Sequence, residues 1–232
     1  MQQVISDQPA FILQRKEFQN TSLILDLLTE QHGRVRVVAK GARKRRDRAH
    51  FQPFNRLLVS WQGRSELKTL TQIESVPIPV SSECYLPAFY ATELLLYLLP
   101  GQEEQADIFA AYQHLLQNLQ AKNMEPQLRC FEMQLLSALG LMPDLLHQSD
   151  CGEDVDDDGY YYLDVATGIV RGDSSHPRSV RGTQLRAVKQ LDFSSAENLR
   201  AARGLMRQII DFNLQGRALQ SRKLYQQLHK QR

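Results

Sequence analysis

The chain of 232 residues has little of what catalysis, covalent cross-linking or membrane insertion requires. Its three cysteines, Cys84, Cys130 and Cys151, are odd in number and irregularly spaced, so no disulfide framework is legible and a reducing compartment fits. Cys84 and Cys130 fall in apolar helical texture and are expected to be ordinary buried residues. No apolar run approaches the roughly 18 residues of a membrane span. Polar and charged residues occur from the start (Gln2, Gln3, Asp7, Arg15, Lys16), which predicts no secretory signal. No Gly-rich loop precedes a Lys-Ser or Lys-Thr pair, and neither His-Glu-x-x-His nor Gly-x-Ser-x-Gly is present. The six histidines are scattered, with no nucleophile beside them. Catalysis has no visible seat, and the expectation is a soluble cytoplasmic protein that is not an enzyme and has no cofactor.

What the chain does have is segregated charge. Residues 1 to 80 carry 13 Lys and Arg against 7 acids, residues 81 to 170 carry 2 against 15, and residues 171 to 232 carry 13 against 4. The overall charge of +2 therefore hides two basic ends and an acidic middle. Such segregation implies separate electrostatic tasks, with a polyanion bound at the basic parts. The densest cationic stretch runs from Gly33 to Arg48. Val35, Val37 and Ala39 alternate with Arg34, Arg36 and Val38, which predicts a strand with one apolar face. Gly41 then opens a loop that cannot bury its guanidinium groups. Eight cations (Arg34, Arg36, Lys40, Arg43, Lys44, Arg45, Arg46, Arg48) face one acid, Asp47. A solvated loop gives such a pattern too, but a phosphate-backbone contact is the sharper reading.

The texture divides the chain in two. Short β-rich runs at Ala10–Arg15, Ser22–Thr29, Arg34–Ala39, Leu57–Trp61 and Leu67–Ile73, with turns at 30–33 and 62–65, predict a small five-stranded barrel. An OB fold suits a basic strand and loop in its middle, and an SH3-like barrel fits the strand count nearly as well. Prolines at 77 and 79 break both helix and central strand and mark a boundary. Beyond it, apolar residues recur at three- and four-residue spacing, as in Ile108, Tyr112, Leu115 and Leu119, or Leu128, Phe131, Leu135 and Leu139. These predict amphipathic helices. Ser194 or Ser195 is placed to cap a further helix through Met206 and Phe212, and a last one holds Leu219, Leu224 and Leu228. The fold class expected is α+β with two domains, a barrel at 1–80 and a mostly helical domain at 81–232. An irregular insert at about 147–177 is expected as an acidic loop followed by a small hairpin.

Metal patterns are incomplete. Asp154, Asp156 and Asp158 before Gly159 copy the first half of a calcium loop, but its twelfth position is Val165 instead of a bidentate Glu. His147, Cys151 and His176 are suitable zinc donors without a fourth ligand. Among the aromatics, Trp61, Phe51 and Phe54 flank the basic run and are candidates either for base stacking or for barrel core. The cations Arg200, Arg203, Arg207, Arg217, Arg222, Lys223 and Lys230 fit solvated helix faces or a second nucleic-acid surface.

The segments Thr21–Asp26, Gly33–Arg43, Gln52–Phe54, Glu66–Leu70, Leu128–Glu132, Leu135–Leu136 and Leu219–Arg222 with Leu224 carry a resemblance. In these the chain resembles the bacterial RecO family of DNA repair proteins, which are recombination mediators, and the block Val38 to Arg43 is its most specific part. The resemblance implies an N-terminal OB fold, a helical C-terminal domain and no enzymatic turnover. It implies binding of single- and double-stranded DNA and annealing of complementary strands. It also implies work with RecR to load RecA onto DNA coated by single-strand-binding protein, in a nucleoid-associated cytoplasmic setting. The family's DNA-binding positions match at Arg34, Arg36, Lys40 and Arg43, and in character alone at Lys44, Arg45, Arg46 and Arg48. Arg129 corresponds to an arginine that holds the acidic C-terminal tail of single-strand-binding protein. Its alternative is an intramolecular pair with Glu132 or Glu125. Many relatives carry a four-cysteine zinc module in the insert; only Cys151 of that pattern remains, which implies a metal-free module. Two other readings compete: a metal-dependent nuclease using Asp154, Asp156 and Asp158, and a protein-protein adaptor with incidental DNA binding.

Overall fold

The computed structural model describes residues 4–43, 48–101 and 103–230. Five strands come first: β1 (Val4–Phe18), β2 (Ser22–Thr29), β3 (Gly33–Ala39), β4 (Arg56–Gln62) and β5 (Leu67–Val76). They close into a barrel in the order β1-β2-β3-β5-β4, with β3 and β5 parallel and every other pair antiparallel. This is the OB-type barrel expected, and the SH3-like alternative drops out. The closure depends on β1. Its register slips between Ile5 and Gln8 and again between Ile12 and Gln14. Such bulges bend and twist a strand, so one 15-residue element pairs with β4 along its first part and with β2 along its second. The alternation read from the sequence holds: Leu25, Leu27, Val35, Val37, Val59 and Trp61 point into the barrel core.

Helices α1 (Tyr85–Leu98), α2 (Ala106–Asn118) and α3 (Met124–Ala138) follow, then a three-stranded sheet of β6 (Tyr160–Asp164), β7 (Gly168–Gly172) and β8 (Val180–Arg181) in the order β7-β6-β8. The chain continues through α4 (Gly182–Lys189), α5 (Ala196–Asn213) and α6 (Gln220–Lys230). Ser195 is the residue that caps α5, its Oγ accepting the backbone N–H of Asn198 at 3.0 Å. Strand β8 and helix α4 were not legible in the sequence. They are short and polar, and their placement depends on a close approach. Gly182 packs so tightly on the insert that an added Cβ would lie 1.9 Å from the Asp156 carbonyl oxygen.

The compact units do not follow the change in texture at the prolines. One comprises residues 1–122 with 219–232, and the other residues 123–218. In the first, α1, α2 and α6 belong with the barrel, because the outer barrel face carries apolar residues that need cover. Phe11 on that face lies 5.1 Å, ring to ring, from both Phe109 and Tyr112 of α2. The Tyr112 hydroxyl is fully buried, shares a 2.7 Å hydrogen bond with Thr92, and has its pKa pushed well above that of free tyrosine by loss of solvent. Glu93 of α1 accepts the Gln220 and Ser221 backbone N–H groups and the Ser221 hydroxyl, which ties the start of α6 to this unit. The second unit holds α3, α4, α5 and the small sheet. Among the described residues no helix is long and apolar enough to cross a membrane.

Candidate nucleic-acid interface

The hairpin of β2 and β3 sets up the cationic surface. Gly33 starts β3 with φ +57°, and an added Cβ would come within 1.9 Å of the Glu103 carbonyl oxygen, so this turn accepts only glycine. From there Arg34, Arg36 and Val38 face outward while Val35, Val37 and Ala39 fill the core. The register places Arg36 opposite Asp26, a carboxylate almost wholly buried in the outer sheet face. Arg34 grips it with two hydrogen bonds, Nε to Oδ1 and Nη2 to Oδ2, both 2.7 Å. Its Nη1 donates to the Leu96 carbonyl at 2.9 Å. Bidentate pairing with Asp26 raises the Arg34 pKa above its already high value, against the opposing effect of burial. The guanidinium of Arg34 is thus occupied in holding β2, β3 and the end of α1 together.

Arg36 is different. Its side chain is 49% exposed, with Asp26 at 3.8 Å and Glu66 at 3.6 Å as loose partners. With Arg34, Glu66 and residues 99–101 it lines a groove of about 360 Å³. Lys40 is exposed on the turn after β3, where Gly41 has φ +70°. Arg43 is 40% exposed and reaches Glu17 at 3.1 Å, while its backbone N–H donates to the Thr21 carbonyl at 2.9 Å. Lys44, Arg45 and Arg46 lie outside the described residues, as does the side chain of Arg48.

Arg15 was not singled out by the sequence. It lines a second groove, about 470 Å³, with Glu17, Leu23, Ala42, Arg43, Phe51 and Gln52, and its Nη1 donates to the Phe51 carbonyl at 2.9 Å. The signal was present in the hairpin register: Arg15 is opposite Leu25, an inward-facing residue, so at the end of β1 it overhangs the barrel mouth next to the basic loop. The aromatic candidates are settled as core. Trp61 and Phe51 belong to the barrel cluster, and Phe54 is buried against Tyr85 and Phe89. A small barrel must be filled, and bulky rings supply that volume.

Arg129, on α3, is buried. It pairs with Glu132 at 2.8 Å, with side chains 10% and 0% exposed, so the intramolecular partner named in the sequence analysis is the one formed. Arg129 Nε is nonetheless buried without a hydrogen-bond partner among the described residues. Glu125 instead pairs with Arg203 of α5.

In the acidic insert Asp154, Asp156 and Asp157 each have a different partner. His147 bridges Asp144 at 2.7 Å and Asp154 at 3.1 Å; the hydrogen bond to Asp144 raises the imidazole pKa, and the Leu146 backbone N–H, followed by His147, holds the Asp144 pKa below its usual value. Asp156 accepts the Asp158 backbone N–H, and Asp157 pairs with Arg186 at 2.7 Å. His176 stacks on Tyr162 at 4.3 Å, away from any shared site with His147. Among the described residues no three His, Cys, Asp or Glu side chains come together as a metal-holding group. Neither the nuclease triad nor the zinc set converges. Cys84 is buried, Cys151 is exposed, and half-burial pushes the Cys130 thiol pKa up.

The second unit carries its own cationic groove, about 980 Å³, between the small sheet and α5. Arg178, Arg181, Arg200 and Arg207 line it against two acids, Glu197 and Asp211. Arg181 lies 5.4 Å over the Tyr160 ring and donates to its hydroxyl at 3.1 Å; Arg178 donates to Gln208 at 3.1 Å. The sequence pointed to Arg200 and Arg207 but not to Arg178 and Arg181, which only β8 brings to the same groove.

Sequence comparisons give the family. The family model described as "Recombination protein O N terminal" matches residues 1–78, and "Recombination protein O C terminal" matches residues 83–223. The chain is similar to proteins named DNA repair protein RecO from Erwinia tasmaniensis (39% identical over 226 residues, 95% of this chain and 92% of the relative) and Sodalis glossinidius (39% over 226, 95% and 87%). A third, from Methylococcus capsulatus, is 38% identical over 222 residues, covering 93% of this chain and 91% of the relative.

Proposed function

We propose, from the premise that the chain belongs to the recombination protein O (RecO) family of DNA repair proteins, that it is a non-enzymatic recombination mediator. In this reading it binds single- and double-stranded DNA, anneals complementary strands and, with RecR, helps load RecA onto DNA coated by single-strand-binding protein. The observation that carries it is the closed barrel presenting Arg36, Lys40 and Arg43 along β3 and its exit turn, with Arg15 beside them. Cations spaced along a strand and its exit suit successive phosphates. In the sequence, Lys44, Arg45, Arg46 and Arg48 follow Arg43 and add four more cations. Arg34 acts by positioning, since three of its N–H donors are bound to Asp26 and Leu96.

Annealing requires that two like-charged strands be neutralised and concentrated, with no covalent step. The groove of Arg178, Arg181, Arg200 and Arg207 supplies a second cationic surface for that purpose. Contact with the tail of single-strand-binding protein is assigned to Arg129, whose Nε is buried without a hydrogen-bond partner among the described residues and whose charge a terminal carboxylate would share with Glu132. Tail-peptide binding tests this assignment: Arg129→Ala abolishes it and Glu132→Gln, which removes the competing charge, strengthens it. If Glu132→Gln weakens the peptide, Arg129 is a structural residue only. The main test is annealing of complementary strands coated with single-strand-binding protein at two salt concentrations. Annealing that survives alanine at Arg36, Lys40 and Arg43 with undiminished salt dependence would remove the barrel from the mechanism.

A further inference from the structure

We propose that Tyr85 and Phe89 of α1 form a stacking platform for the unpaired bases of a strand whose phosphates lie on the cationic end of the barrel. The proposal rests on the DNA-binding reading above and adds the part of the ligand that cations cannot recognise. The aromatic residues closest in sequence to the basic run are all buried, Trp61, Phe51 and Phe54 alike. Tyr85 and Phe89, four residues apart and so on one helix face, remain 49% and 45% exposed.

These two rings are held from beneath. Buried Phe54 lies 5.9 Å from Tyr85 with planes tilted by 44°, and 4.8 Å from Phe89 at 61°. Phe54 has φ +68°, a backbone conformation that a bulky residue rarely adopts and that aims its ring at α1. An exposed pair of rings on such a base is preorganised, so little rotamer freedom is lost when a flat ligand settles on it. The surrounding charge selects the ligand. Phe51, three residues before Phe54, shares a groove with Arg15 and Arg43, and Arg56, two residues after Phe54, is exposed. A polyanion that also offers apolar faces is a single strand. A duplex keeps its bases stacked on one another and presents phosphates alone.

Tyr85→Leu with Phe89→Leu keeps an apolar contact on Phe54 but removes both ring faces. Thermal unfolding checks that the variant is folded, and Kd is measured for a single strand, an abasic strand of equal length and a duplex. The expected loss is about tenfold per ring, or ~1.4 kcal/mol each by the tenfold conversion, for the base-bearing strand only. The abasic strand, the duplex and the salt slope are unchanged, while Tyr85→Phe and Phe89→Tyr bind as the parent does. Irradiation of a strand carrying 5-iododeoxyuridine links it to a peptide containing Tyr85 or Phe89. Unchanged affinity of the Leu variant for the base-bearing strand overturns the platform and marks the pair as a protein-docking patch. Equal losses for the abasic strand and the duplex overturn it as well. A parent protein that binds neither strand defeats the phosphate reading itself, a result distinct from either.

Discussion

Replacing Arg36, Lys40 and Arg43 together by alanine is the perturbation for which the structure gives a definite magnitude. All three are exposed or half-exposed; the carboxylate partners of Arg36 are loose, at 3.6–3.8 Å, and Arg43 holds Glu17 at 3.1 Å in an exposed pair. Each cation that meets a phosphate releases condensed counterions, worth about 0.9 in the slope of log K against log salt on duplex DNA and about 0.7 on single strands. Three lost contacts flatten the duplex slope by about 2.7, so a fourfold rise in salt weakens binding by ~40-fold less than in the parent protein. Fluorescence anisotropy with a labelled duplex at four or five salt concentrations reads this directly. Arg34→Ala is the contrasting variant. Among the described residues it leaves the buried Asp26 carboxylate with only Arg36 at 3.8 Å as a cationic partner, so it should destabilise the fold by about 3 kcal/mol while changing the slope little at temperatures where it stays folded. A triple variant with the parent slope, or an Arg34 variant that is fully stable yet loses slope, would refute the division between phosphate-facing and structural arginines.

Three further outcomes follow from single contacts. Glu17→Gln frees Arg43 from a carboxylate 3.1 Å away and should raise DNA affinity about two- to fivefold, the size expected of an exposed pair; a loss of affinity would show that Glu17 orients Arg43 productively. Arg129→Ala strands the fully buried Glu132 and should lower stability by about 3–5 kcal/mol in chemical unfolding, whereas an effect below ~1 kcal/mol would mean the pair is not desolvated in solution. His147 has a raised pKa because Asp144 and Asp154 favour its charged form. The stability it lends is therefore complete below the unfolded-state value and fades as pH rises through the higher folded value. Its ring protons should titrate above 6.5 by NMR, and Asp144→Asn should bring the midpoint down; an unmoved midpoint would remove the pair.

The strands were legible where burial alternates without interruption. Strand β2 occupies Ser22–Thr29 as expected, and β3 begins one residue earlier, at Gly33. Strand β1 was read as Ala10–Arg15 but runs Val4–Phe18, because its two register slips break the period-two pattern from which a strand is recognised. The helices with apolar stripes were legible for the same reason. Helix α4, with eight residues, was not, since its position is fixed by Gly182 against the insert and not by its own pattern. At the interface, sequence supplied the cations but not their partners. Asp26 and Arg34 are eight residues apart, and Glu93 and Ser221 are 128 apart, so only the folded register reveals which charges are already satisfied. Burial of the aromatics was hidden likewise: Phe54 at the end of a loop gives no sign that it supports two exposed rings from another element.

The pairing of Arg36 and Arg43 with carboxylates bears on the strand-annealing role proposed above. An arginine without a partner gains the full strength of a phosphate contact and releases the strand slowly, which hinders the exchange of one strand for another. An arginine that already holds Glu17 or Glu66 exchanges one anion for another, and the net gain is the difference between two charge-assisted contacts. Affinity per contact is then modest, orientation is fixed beforehand, and binding responds steeply to salt and to the number of phosphates engaged. The groove lined by Arg178, Arg181, Arg200 and Arg207 follows the same rule, with Arg207 near Asp211 at 3.7 Å and Arg178 on Gln208. On the annealing role proposed above, two surfaces of many weak, replaceable contacts would let each strand shift in register until complementary bases meet, after which base pairing would supply the free energy that the protein does not.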